Sequence, residues 1–309
     1  MATRIFIDGA AGTTGIEIRE RLAGRADFEL LLLDDAQRKS EAARKEALHA
    51  ADVAILCLPD DAAKEAVALA EGSGTRFIDA SSAHRVADGW TYGFPELIGH
   101  AAVAGAERVS NPGCYPTGFL ALVAPLVRAG LLPASWPYTV NAVSGYSGGG
   151  KALIERFEAE TDIAFRAYGL AMGHKHLPEM QRHAGLAHAP VFSPGVVPGF
   201  RGMLVDVPLP LAAMGAQADI AVLHLALADF FAGSPVVKVH PLEDAPSELL
   251  LHTGATPWDG LELFAFASAD GAQVRLVARL DNLGKGASGA AIQNLNIMCG
   301  LPETEGLTL

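Results

Sequence analysis

The sequence has few cysteines and no arrangement of them that would form a disulfide framework or a structural zinc site. Cys57, Cys114 and Cys299 are widely spaced, odd in number and form no Cys-x-x-Cys pair. Disulfide-rich secreted folds and zinc domains need closely spaced cysteine pairs. We therefore expect reduced thiols, a cytoplasmic protein and no bound metal.

Long apolar runs are also missing. Charged residues, glycine and proline interrupt every stretch before it reaches the roughly 18 residues that a membrane span requires. The N-terminal segment lacks the charged, apolar and small-residue regions of a signal peptide, and it leads directly into a strand-like run. These observations predict a protein with no membrane association and no export signal.

Positive charge is scarce. Lys and Arg number 23 against 35 Asp and Glu, which gives a formal net charge of −12. Proteins that bind nucleic-acid backbones need a basic surface, so we expect no nucleic-acid partner. A small phosphorylated ligand remains possible, because two or three local donors suffice to hold it.

The chain of 309 residues, half of them hydrophobic, is long enough for two domains. Its first third alternates strand and helix signals. The continuous apolar character of these strands indicates a parallel sheet covered by helices on both faces. The expected strands are Ile5–Asp8, Phe28–Leu33, Val53–Leu58 and Arg76–Asp79, and the expected helices are Thr14–Leu22, Lys39–His49 and one capped by Asp60 or Asp61 that ends near Glu71.

Beyond Cys114 the pattern changes to one that predicts a second domain on an antiparallel or mixed sheet. A helix is expected to start near Pro116 and to kink or stop at Pro125, and Gly284–Met298 is expected to form a closing helix. The predicted domains are 1–114 with 284–309, and 115–283. The strand-like runs are Thr139–Val143, Met203–Val207, Ile220–Leu227, Val236–Val239, Leu261–Ala267 and Gln273–Leu280.

A glycine motif between the first strand and the first helix predicts a nucleotide site. Gly9, Gly12 and Gly15 follow a G-x-x-G-x-x-G spacing, in which the glycines let a pyrophosphate approach the backbone at a helix N-terminus. The alternative is a tight turn without a ligand. The second strand is followed by Asp34-Asp35 and by Arg38-Lys39, so an acidic partner for the NAD ribose and basic partners for the NADP phosphate are both present.

Cys114 is the best candidate for a nucleophile. It lies in a Pro-Gly turn just before the helix expected near Pro116, and the positive end of a helix lowers the pKa of a thiol. A drop in the pKa from ~8.5 to ~6 would raise the thiolate fraction at pH 7 from about 3% to about 90%. Cys57 and Cys299 have no such context and are interpreted as inert buried thiols.

A nucleophilic cysteine needs a base, and the densest group of histidines supplies candidates. His174 and His176 are followed by Pro178, which would open a helix that carries Glu179. A base with an orienting carboxylate, a metal pair and surface histidines are the three possible interpretations. Arg85 and Arg201 could each grip a carboxylate or a phosphate, or could be ordinary surface residues.

These motifs together resemble the shorter length class of the N-acetyl-gamma-glutamyl-phosphate reductase family. The resemblance covers nearly the whole chain, and its most specific part is Asn111-Pro112-Gly113-Cys114-Tyr115-Pro116-Thr117-Gly118. Leu122 departs from the family by occupying a position where a small residue is usual. The resemblance implies an α/β protein with an N-terminal Rossmann-like parallel sheet and an α+β catalytic domain like that of glyceraldehyde-phosphate dehydrogenase. It also implies a homo-oligomer, either a dimer or a tetramer.

The resemblance further implies NADP(H) as cofactor and a small-molecule acyl phosphate as substrate. Cys114 would form a thioester that is reduced to the aldehyde, with His174 as acid/base and His176 as the alternative. The implied cofactor contacts are Gly9, Ala11, Gly12, Thr13, Thr14, Gly15, Arg38, Lys39, Ser81 and Asn282. The implied substrate contacts are Arg85 for the phosphate, Arg201 for the alpha-carboxylate, and Ser144, Gly145 and Glu179.

Three alternatives stay open at the level of sequence. Aspartate-semialdehyde dehydrogenases use the same covalent chemistry on a shorter acyl phosphate. Aminoadipyl-phosphate reductases act on a chain one methylene longer, and apolar pockets separate one methylene by only ~1–3 kcal/mol. A non-catalytic NADP-binding sensor on the same fold is the alternative from another functional class, although this chain keeps the thiol and the histidines that a sensor could lose.

Overall fold

The computed structural model describes residues 2–34 and 36–309. Its first elements are β1 (Thr3–Asp8), α1 (Thr13–Leu22), β2 (Phe28–Leu31), α2 (Glu41–Ala50), β3 (Val53–Leu56), α3 (Asp60–Leu69), β4 (Arg76–Asp79), β5 (Thr91–Tyr92), α4 (Pro95–Ile98), α5 (His100–Ala104) and β6 (Arg108–Ser110). They are followed by α6 (Cys114–Arg128), β7 (Thr139–Gly145), α7 (Lys151–Ala159), β8 (Arg166–Ala167), α8 (Leu177–Ala184), β9 (Val191–Val197), β10 (Met203–Leu209), α9 (Leu211–Met214), α10 (Ile220–Phe230), β11 (Val237–Val239), β12 (Leu261–Ala267), β13 (Val274–Leu280) and α11 (Gly289–Met298). A π-helical turn, Gly284–Ser288, leads into α11.

The chain divides into two compact units. The first is Met1–Gly113 with Ala287–Leu307, and the second is Cys114–Gly286 with Thr308–Leu309. The first boundary expected from the sequence, after residue 114, lies one residue later than the observed one. The second expected boundary, before residue 284, lies three residues earlier than the observed one. Cys114 is thus the first residue of the second unit.

The first unit is built on a parallel sheet with the strand order β2-β1-β3-β4-β6-β5. Strand order reverses between β1 and β3, and ligands of open α/β sheets bind at such a switch point, beyond the carboxyl ends of the strands. The turn that carries the glycine motif follows β1 and therefore lies at this point. The expected N-terminal parallel sheet is confirmed.

Both faces of this sheet are covered, which explains the continuous apolar strands. In β1, Ile5 and Ile7 belong to the core beneath α1 and α11, whereas Phe6 belongs to the core beneath α2 and α3. Side chains alternate between the faces of a strand, so a strand buried on both faces must be apolar at successive positions.

The second unit is built on a mixed sheet with the strand order β11-β12-β13-β10-β7-β9-β8. Its pairs are antiparallel except β11 with β12 and β7 with β9. The helix α6 packs on one face, where a Cβ on Gly118 would lie 2.8 Å from the side chain of Val205. All residues of α6 from Tyr115 to Leu126 are buried, so the helix is apolar all round. The expected mixed sheet is confirmed.

One predicted strand is wrong. The run Ile220–Leu227 lies in the helix α10, which begins after Asp219, whose carboxylate accepts a hydrogen bond from the Val222 N–H at 2.9 Å. Its buried residues, Leu223 and Leu227, are four positions apart, as one face of a helix requires. Short apolar runs do not distinguish a strand from a helix by composition, and here the capping aspartate was the missed signal.

The helix that follows the Pro-Gly turn starts earlier and ends later than expected. It begins at Cys114, and it passes through Pro125 to Arg128 with no early stop. In the first unit, α3 has Pro59 at its N-cap, and the Asp60 carboxylate instead accepts a hydrogen bond from the Ser82 N–H at 2.9 Å. The expected cap by Asp60 or Asp61 is therefore wrong.

Within residues 2–34 and 36–309, none of the helices combines the length and the apolar character needed to cross a membrane.

Candidate functional site

The glycine turn between β1 and α1 is shaped by two sterically required glycines. Gly9 has a φ of +89°, and a Cβ there would lie 2.3 Å from the carbonyl oxygen of Cys57. A Cβ on Gly15 would lie 2.4 Å from the carbonyl oxygen of Gly9. At Gly12 the nearest atom would be 3.5 Å away, an ordinary contact. Packing therefore does not require a glycine at position 12.

The first turn of α1 offers backbone donors to an anion. Its N-cap is Gly12, which provides no side-chain cap, and the turn holds no acidic residue. The first helical hydrogen bond runs from the Ile16 N–H to the Gly12 carbonyl at 2.8 Å, so the N–H groups of Thr13 and Thr14 precede it. The exposed Ala11 lies just before the cap. A helix terminus of this kind fits the pyrophosphate of a dinucleotide.

The basic pair expected at the 2′-phosphate lies in an exposed 3-10 turn, Gln37–Lys39. The Asp34 carboxylate accepts hydrogen bonds from the N–H groups of Ala36 and Gln37 at 2.9 and 2.8 Å. Asp34 therefore stabilises the turn that contains Arg38 and Lys39. A hydrogen bond from a ribose hydroxyl to Asp34 would compete with these two backbone bonds. Asp35 lies outside the described residues.

Ser81 belongs to a turn organised by a buried carboxylate at the end of β4. Its hydroxyl donates to Asp79 Oδ2 at 2.8 Å, and its N–H donates to Asp79 Oδ1 at 2.9 Å. The His84 Nδ1 lies 2.6 Å from the same Oδ2, and the imidazole stacks on the Trp90 ring at 4.0 Å between centroids. Ser81 is buried, and its N–H and its hydroxyl proton are both bonded to Asp79. These two donors are therefore not available for a cofactor.

Cys114 occupies the first position of α6, and its side chain is half-buried. No acidic residue lies in the first turn of that helix, so nothing there opposes the positive end of the helix dipole. The backbone of Gly286 lies against the thiol-bearing residue, since a Cβ on Gly286 would be 2.9 Å from the Cβ of Cys114. In general, a helix N-terminus favours the thiolate form of a cysteine placed there.

The two candidate histidines lie side by side. Their ring centroids are 4.7 Å apart, and the Tyr115 ring is 6.2 Å from His174 and 5.9 Å from His176. His176 is buried and His174 is half-buried. The His174 Nδ1 accepts a hydrogen bond from the backbone N–H of His176 at 3.2 Å, so neutral His174 carries its proton on Nε2.

Two tyrosines complete this cluster, and sequence reasoning did not identify either as functional. The Tyr115 hydroxyl donates to the Gly195 carbonyl at 3.1 Å, and the Tyr168 hydroxyl donates to the Tyr115 oxygen at 3.3 Å. Burial raises the pKa of Tyr115 well above its usual value and that of Tyr168 to about 12. Both phenols therefore stay neutral at the pH where a cysteine thiolate works.

A second group of polar residues surrounds Asn282. Its Nδ2 donates to the Ser147 hydroxyl at 2.9 Å, and a Cβ on Gly148 would lie 3.3 Å from Ser144 Oγ and 3.4 Å from Asn282 Nδ2. A Cβ on Gly145 would lie 2.6 Å from the carbonyl oxygen of Phe200. Among the described residues, Asn282 Oδ1 is buried with no hydrogen-bond partner. An orphaned amide acceptor fits a donor such as the carboxamide of a nicotinamide ring.

Arg201 is held by a buried carboxylate that sequence reasoning left without a role. Its Nη1 donates to Asp281 Oδ2 at 3.0 Å, and Asp281 also accepts from the N–H groups of Leu283 and Trp258 at 2.9 and 3.3 Å. Burial raises the pKa of Asp281, against the opposite effect of Arg201. The pair orients the guanidinium and partly neutralises its charge.

Arg85 and Glu179, the other expected substrate contacts, are both buried. Arg85 donates from Nε to the Asn111 carbonyl at 3.0 Å and from Nη2 to the Ala80 carbonyl at 3.1 Å. These bonds use two of the five guanidinium N–H groups, which leaves fewer for a phosphate. Glu179 lies in the first turn of α8, the helix expected to open at Pro178.

The other thiols lack the context of Cys114. Burial raises the pKa of Cys57 to about 12 and also raises that of Cys299. In the described part of the chain, no group of three or more His, Cys, Asp or Glu side chains is arranged to hold a metal ion. Neither His174 nor His176 is therefore part of such a cluster.

Known proteins match this chain over nearly its full length. A family model described as "Semialdehyde dehydrogenase, NAD binding domain" matches residues 4–104, and one described as "Semialdehyde dehydrogenase, dimerisation domain" matches 114–282. N-acetyl-gamma-glutamyl-phosphate reductase 2 of Nostoc sp. is 50% identical over 98% of this chain and 99% of its own. The reductase of Rhizobium meliloti is 50% identical over 96% of this chain and 99% of its own. The chain belongs to the N-acetyl-gamma-glutamyl-phosphate reductase family. The resemblance inferred from the motifs is thereby confirmed.

Solved structures share the fold of this reductase family member. An aspartate semialdehyde dehydrogenase II from Vibrio cholerae superposes with a TM-score of 0.71 at 17% identity, over 96% of this chain and 98% of that one. An aspartate semialdehyde dehydrogenase from Francisella tularensis gives 0.70 at 14% identity, over 96% of this chain and all of that one. The predicted fold class, a Rossmann-like parallel sheet plus an α+β catalytic domain, is confirmed.

Proposed function

We propose that the protein catalyses the NADPH-dependent reduction of N-acetyl-L-glutamyl 5-phosphate to N-acetyl-L-glutamate 5-semialdehyde and phosphate, a step of arginine biosynthesis. The observation that carries this proposal is Cys114 at the first position of the buried helix α6, in a chain 50% identical to reductases named for that substrate. A thiol at this position is the nucleophile that acyl-phosphate reduction through a thioester requires.

The two units divide the work in this proposal. The segments 1–114 and 284–309 bind NADP, and residues 115–283 bind the substrate and provide the oligomer contacts. The glycine turn after β1 and the uncapped first turn of α1 support the first assignment. The cluster of Tyr115, His174 and His176, which directly follows Cys114 in the chain at Tyr115, supports the second.

In the first chemical step, the Cys114 thiolate attacks the gamma-acyl carbon. The bond between that carbon and the phosphate oxygen breaks, phosphate leaves with the electron pair, and a thioester forms on Cys114. His174 in its protonated, imidazolium form gives a proton to the departing phosphate as general acid and is left neutral, and His176 is the alternative. The neutral phenols of Tyr115 and Tyr168 add no negative charge beside the thiolate.

In the second step, NADPH, when bound, supplies a hydride. Cys114 then holds a tetrahedral thiohemiacetal, and the backbone N–H groups at the start of α6 stabilise its oxyanion. The carbon–sulfur bond breaks, the aldehyde leaves, and the thiolate re-forms. The residues that would hold bound NADPH are Asn282, whose orphaned Oδ1 would orient the nicotinamide, and Gly9, Ala11, Gly12, Thr13, Thr14, Gly15 and Ser81 for the rest of the cofactor.

Substrate contacts come from charged and polar groups around the thiol. Arg201, oriented by Asp281, binds the alpha-carboxylate, and Arg85 binds the phosphate. Ser144, Gly145 and Glu179 shape the remaining contacts. We further propose that the protein works in the cytoplasm as a homo-oligomer, a dimer or a tetramer.

Reverse-direction assays test the activity. With phosphate present, N-acetylglutamate semialdehyde should support reduction of NADP⁺, followed by absorbance, whereas aspartate semialdehyde should not. Activity with the aspartyl aldehyde alone would contradict the proposed substrate while leaving the Cys114 chemistry in place. Silence with both, from folded protein that binds NADPH, would favour a longer acyl chain or a sensor.

The cofactor preference should depend on the exposed basic pair. Replacing Arg38 and Lys39 together with alanine should raise KM for NADPH about tenfold or more, because charge-assisted bonds to the 2′-phosphate are lost. KM for NADH should stay nearly constant, since NADH lacks that phosphate. The matched control removes two exposed charges elsewhere in the same unit, at Arg19 and Lys45. A parallel loss of affinity for both cofactors would contradict the assignment.

A further inference from the structure

The amide of Asn111 is a buried junction three residues before Cys114. Asn111 is 1% exposed, and all four of its polar groups are bonded. Its N–H donates to the Asp79 carbonyl at 2.7 Å, and its carbonyl accepts from Arg85 Nε at 3.0 Å. Its Nδ2 donates to the Ala287 carbonyl at 2.9 Å, and its Oδ1 accepts from Asn294 Nδ2 at 3.1 Å. One residue thus joins the end of β6 to β4 through its backbone, and to α11 and the π-helical turn before α11 through its side chain.

Two residues, Pro112 and Gly113, separate this junction from Cys114. Residues 111–113 form no helix or strand. Pro112 has no N–H group, and Gly113 has no side chain, so the side chains of these two residues offer no hydrogen bond. The chain that enters α6 at Cys114 therefore starts, three residues earlier, from a residue that is held by four hydrogen bonds.

The bond to Ala287 restrains a second segment that touches the nucleophile. Ala287 follows Gly286 in the π-helical turn, and a Cβ on Gly286 would lie 2.9 Å from the Cβ of Cys114. Asn111 lies in the segment that leads into Cys114. Its side chain also bonds to Ala287, and the residue before Ala287, Gly286, packs against Cys114. π-helical turns are frequent at functional sites.

We propose that Asn111 is a positioning residue for the Cys114 nucleophile, which it holds in register with the start of α6 through its bonds to Ala287 and Asn294. The inference rests on the proposed function, because it assumes that Cys114 is the reactive thiol. Asn111 acts through the backbone and need not touch substrate or cofactor.

The surroundings of Asn111 support a rigid role. Asn294 is fully buried, and its Nδ2 donates also to the Gly93 carbonyl at 2.9 Å. A Cβ on Gly93 would lie 2.5 Å from that same Nδ2, so the amide is closely enclosed. Breaking one bond of a buried polar network leaves its partner unsatisfied, which makes the arrangement resistant to small displacements.

The chain contains a matched control for Asn111. Asn296, two residues after Asn294 in α11, is equally buried. Its Nδ2 donates to the backbone carbonyls of Glu303 and Glu305, and its Oδ1 accepts from Arg25 Nη1 at 2.9 Å. In both Asn111→Asp and Asn296→Asp the donated bonds to backbone carbonyls are lost and the accepted bond is kept. Only the first change affects the segments beside Cys114.

The experiment compares full-length wild type, Asn111→Asp and Asn296→Asp. The measurements are the iodoacetamide alkylation rate of Cys114 as a function of pH, kcat and KM, and the Kd for NADPH. Asn111→Asp should lower the alkylation rate near neutral pH about tenfold, as a rise of one unit in the thiol pKa would. It should lower kcat about 100-fold, with little change in KM or in NADPH binding, because a misplaced nucleophile impairs the chemical step.

Asn296→Asp should leave the alkylation rate and kcat close to wild type. If Asn111→Asp alkylates and turns over like Asn296→Asp, the inference is wrong. Should Asn111→Asp fail to fold, Asn294→Leu tests the same junction by removing the donor to Asn111 Oδ1. It should shift both readouts in the same direction, and wild-type rates in folded Asn294→Leu would overturn the proposal. Slow alkylation of wild-type Cys114 would instead contradict the proposed function itself.

Discussion

Replacing Cys114 with serine is expected to lower kcat by about 10⁴-fold or more, the loss typical of removing an enzymic nucleophile. A serine hydroxyl has a far higher pKa than a thiol, so the start of α6 cannot produce a useful fraction of its anion near neutral pH. NADPH binding should be preserved, because the glycine turn and α1 are unchanged. Steady-state kinetics and a nucleotide-binding titration measure the two effects.

The matched control is Cys299→Ser. Cys299 follows α11, and burial raises the pKa of its thiol, so it has no part in the proposed chemistry. We expect its kcat to stay within about threefold of wild type. Near-normal turnover in Cys114→Ser, or an equal loss in Cys299→Ser, would show that the nucleophile is misassigned.

Replacing His174 with glutamine should lower kcat by about 10²–10⁴-fold, the range for a positioned acid/base. Glutamine keeps an oxygen that can accept the hydrogen bond from the His176 N–H, but it cannot carry a titrating proton. The limb of the pH–rate profile that reports this group should therefore disappear. The measurement is kcat/KM across pH for variant and wild type.

Two further histidine variants test whether the effect is specific to His174. His176→Gln leaves its backbone N–H in place, so it should cost less than His174→Gln. His188 is exposed, and His188→Gln should behave like wild type. If His176→Gln has the larger effect and removes the pH limb, His176 is the acid/base.

Much of the fold could be predicted from the sequence because local residue patterns agreed with the tertiary structure. The apolar strands around Ile5–Asp8, Val53–Leu58 and Arg76–Asp79 were recognisable, since burial on both faces demands successive apolar residues. The glycine spacing after β1 was recognisable because backbone sterics allow little else at Gly9 and Gly15. The run Ile220–Leu227 was misread, since an apolar stretch of that length suits a strand or a helix equally.

The candidate site was only partly predictable. Cys114, His174 and His176 have side chains whose chemistry is visible in the sequence, and adjacency along the chain brings the two histidines together. Asp281 and Tyr168 had no such signal. Asp281 acquires its role by lying 3.0 Å from Arg201, which is 80 positions away in the chain. The role of Tyr168 depends on its hydroxyl reaching Tyr115, 53 positions away.

The chemical groups of this protein are visible in its sequence alone: a thiol after a Pro-Gly turn, paired histidines, and a glycine motif between strand and helix. Those features depend on neighbours within a few residues, where covalent geometry limits the possible conformations. Which of these groups contact one another depends on the folding of the whole chain. The bonds of Asn111 to Asp79, Ala287 and Asn294, like the pair of Arg201 and Asp281, join residues far apart in the chain. Packing of the whole chain brings them into contact, and no local pattern specifies such pairings.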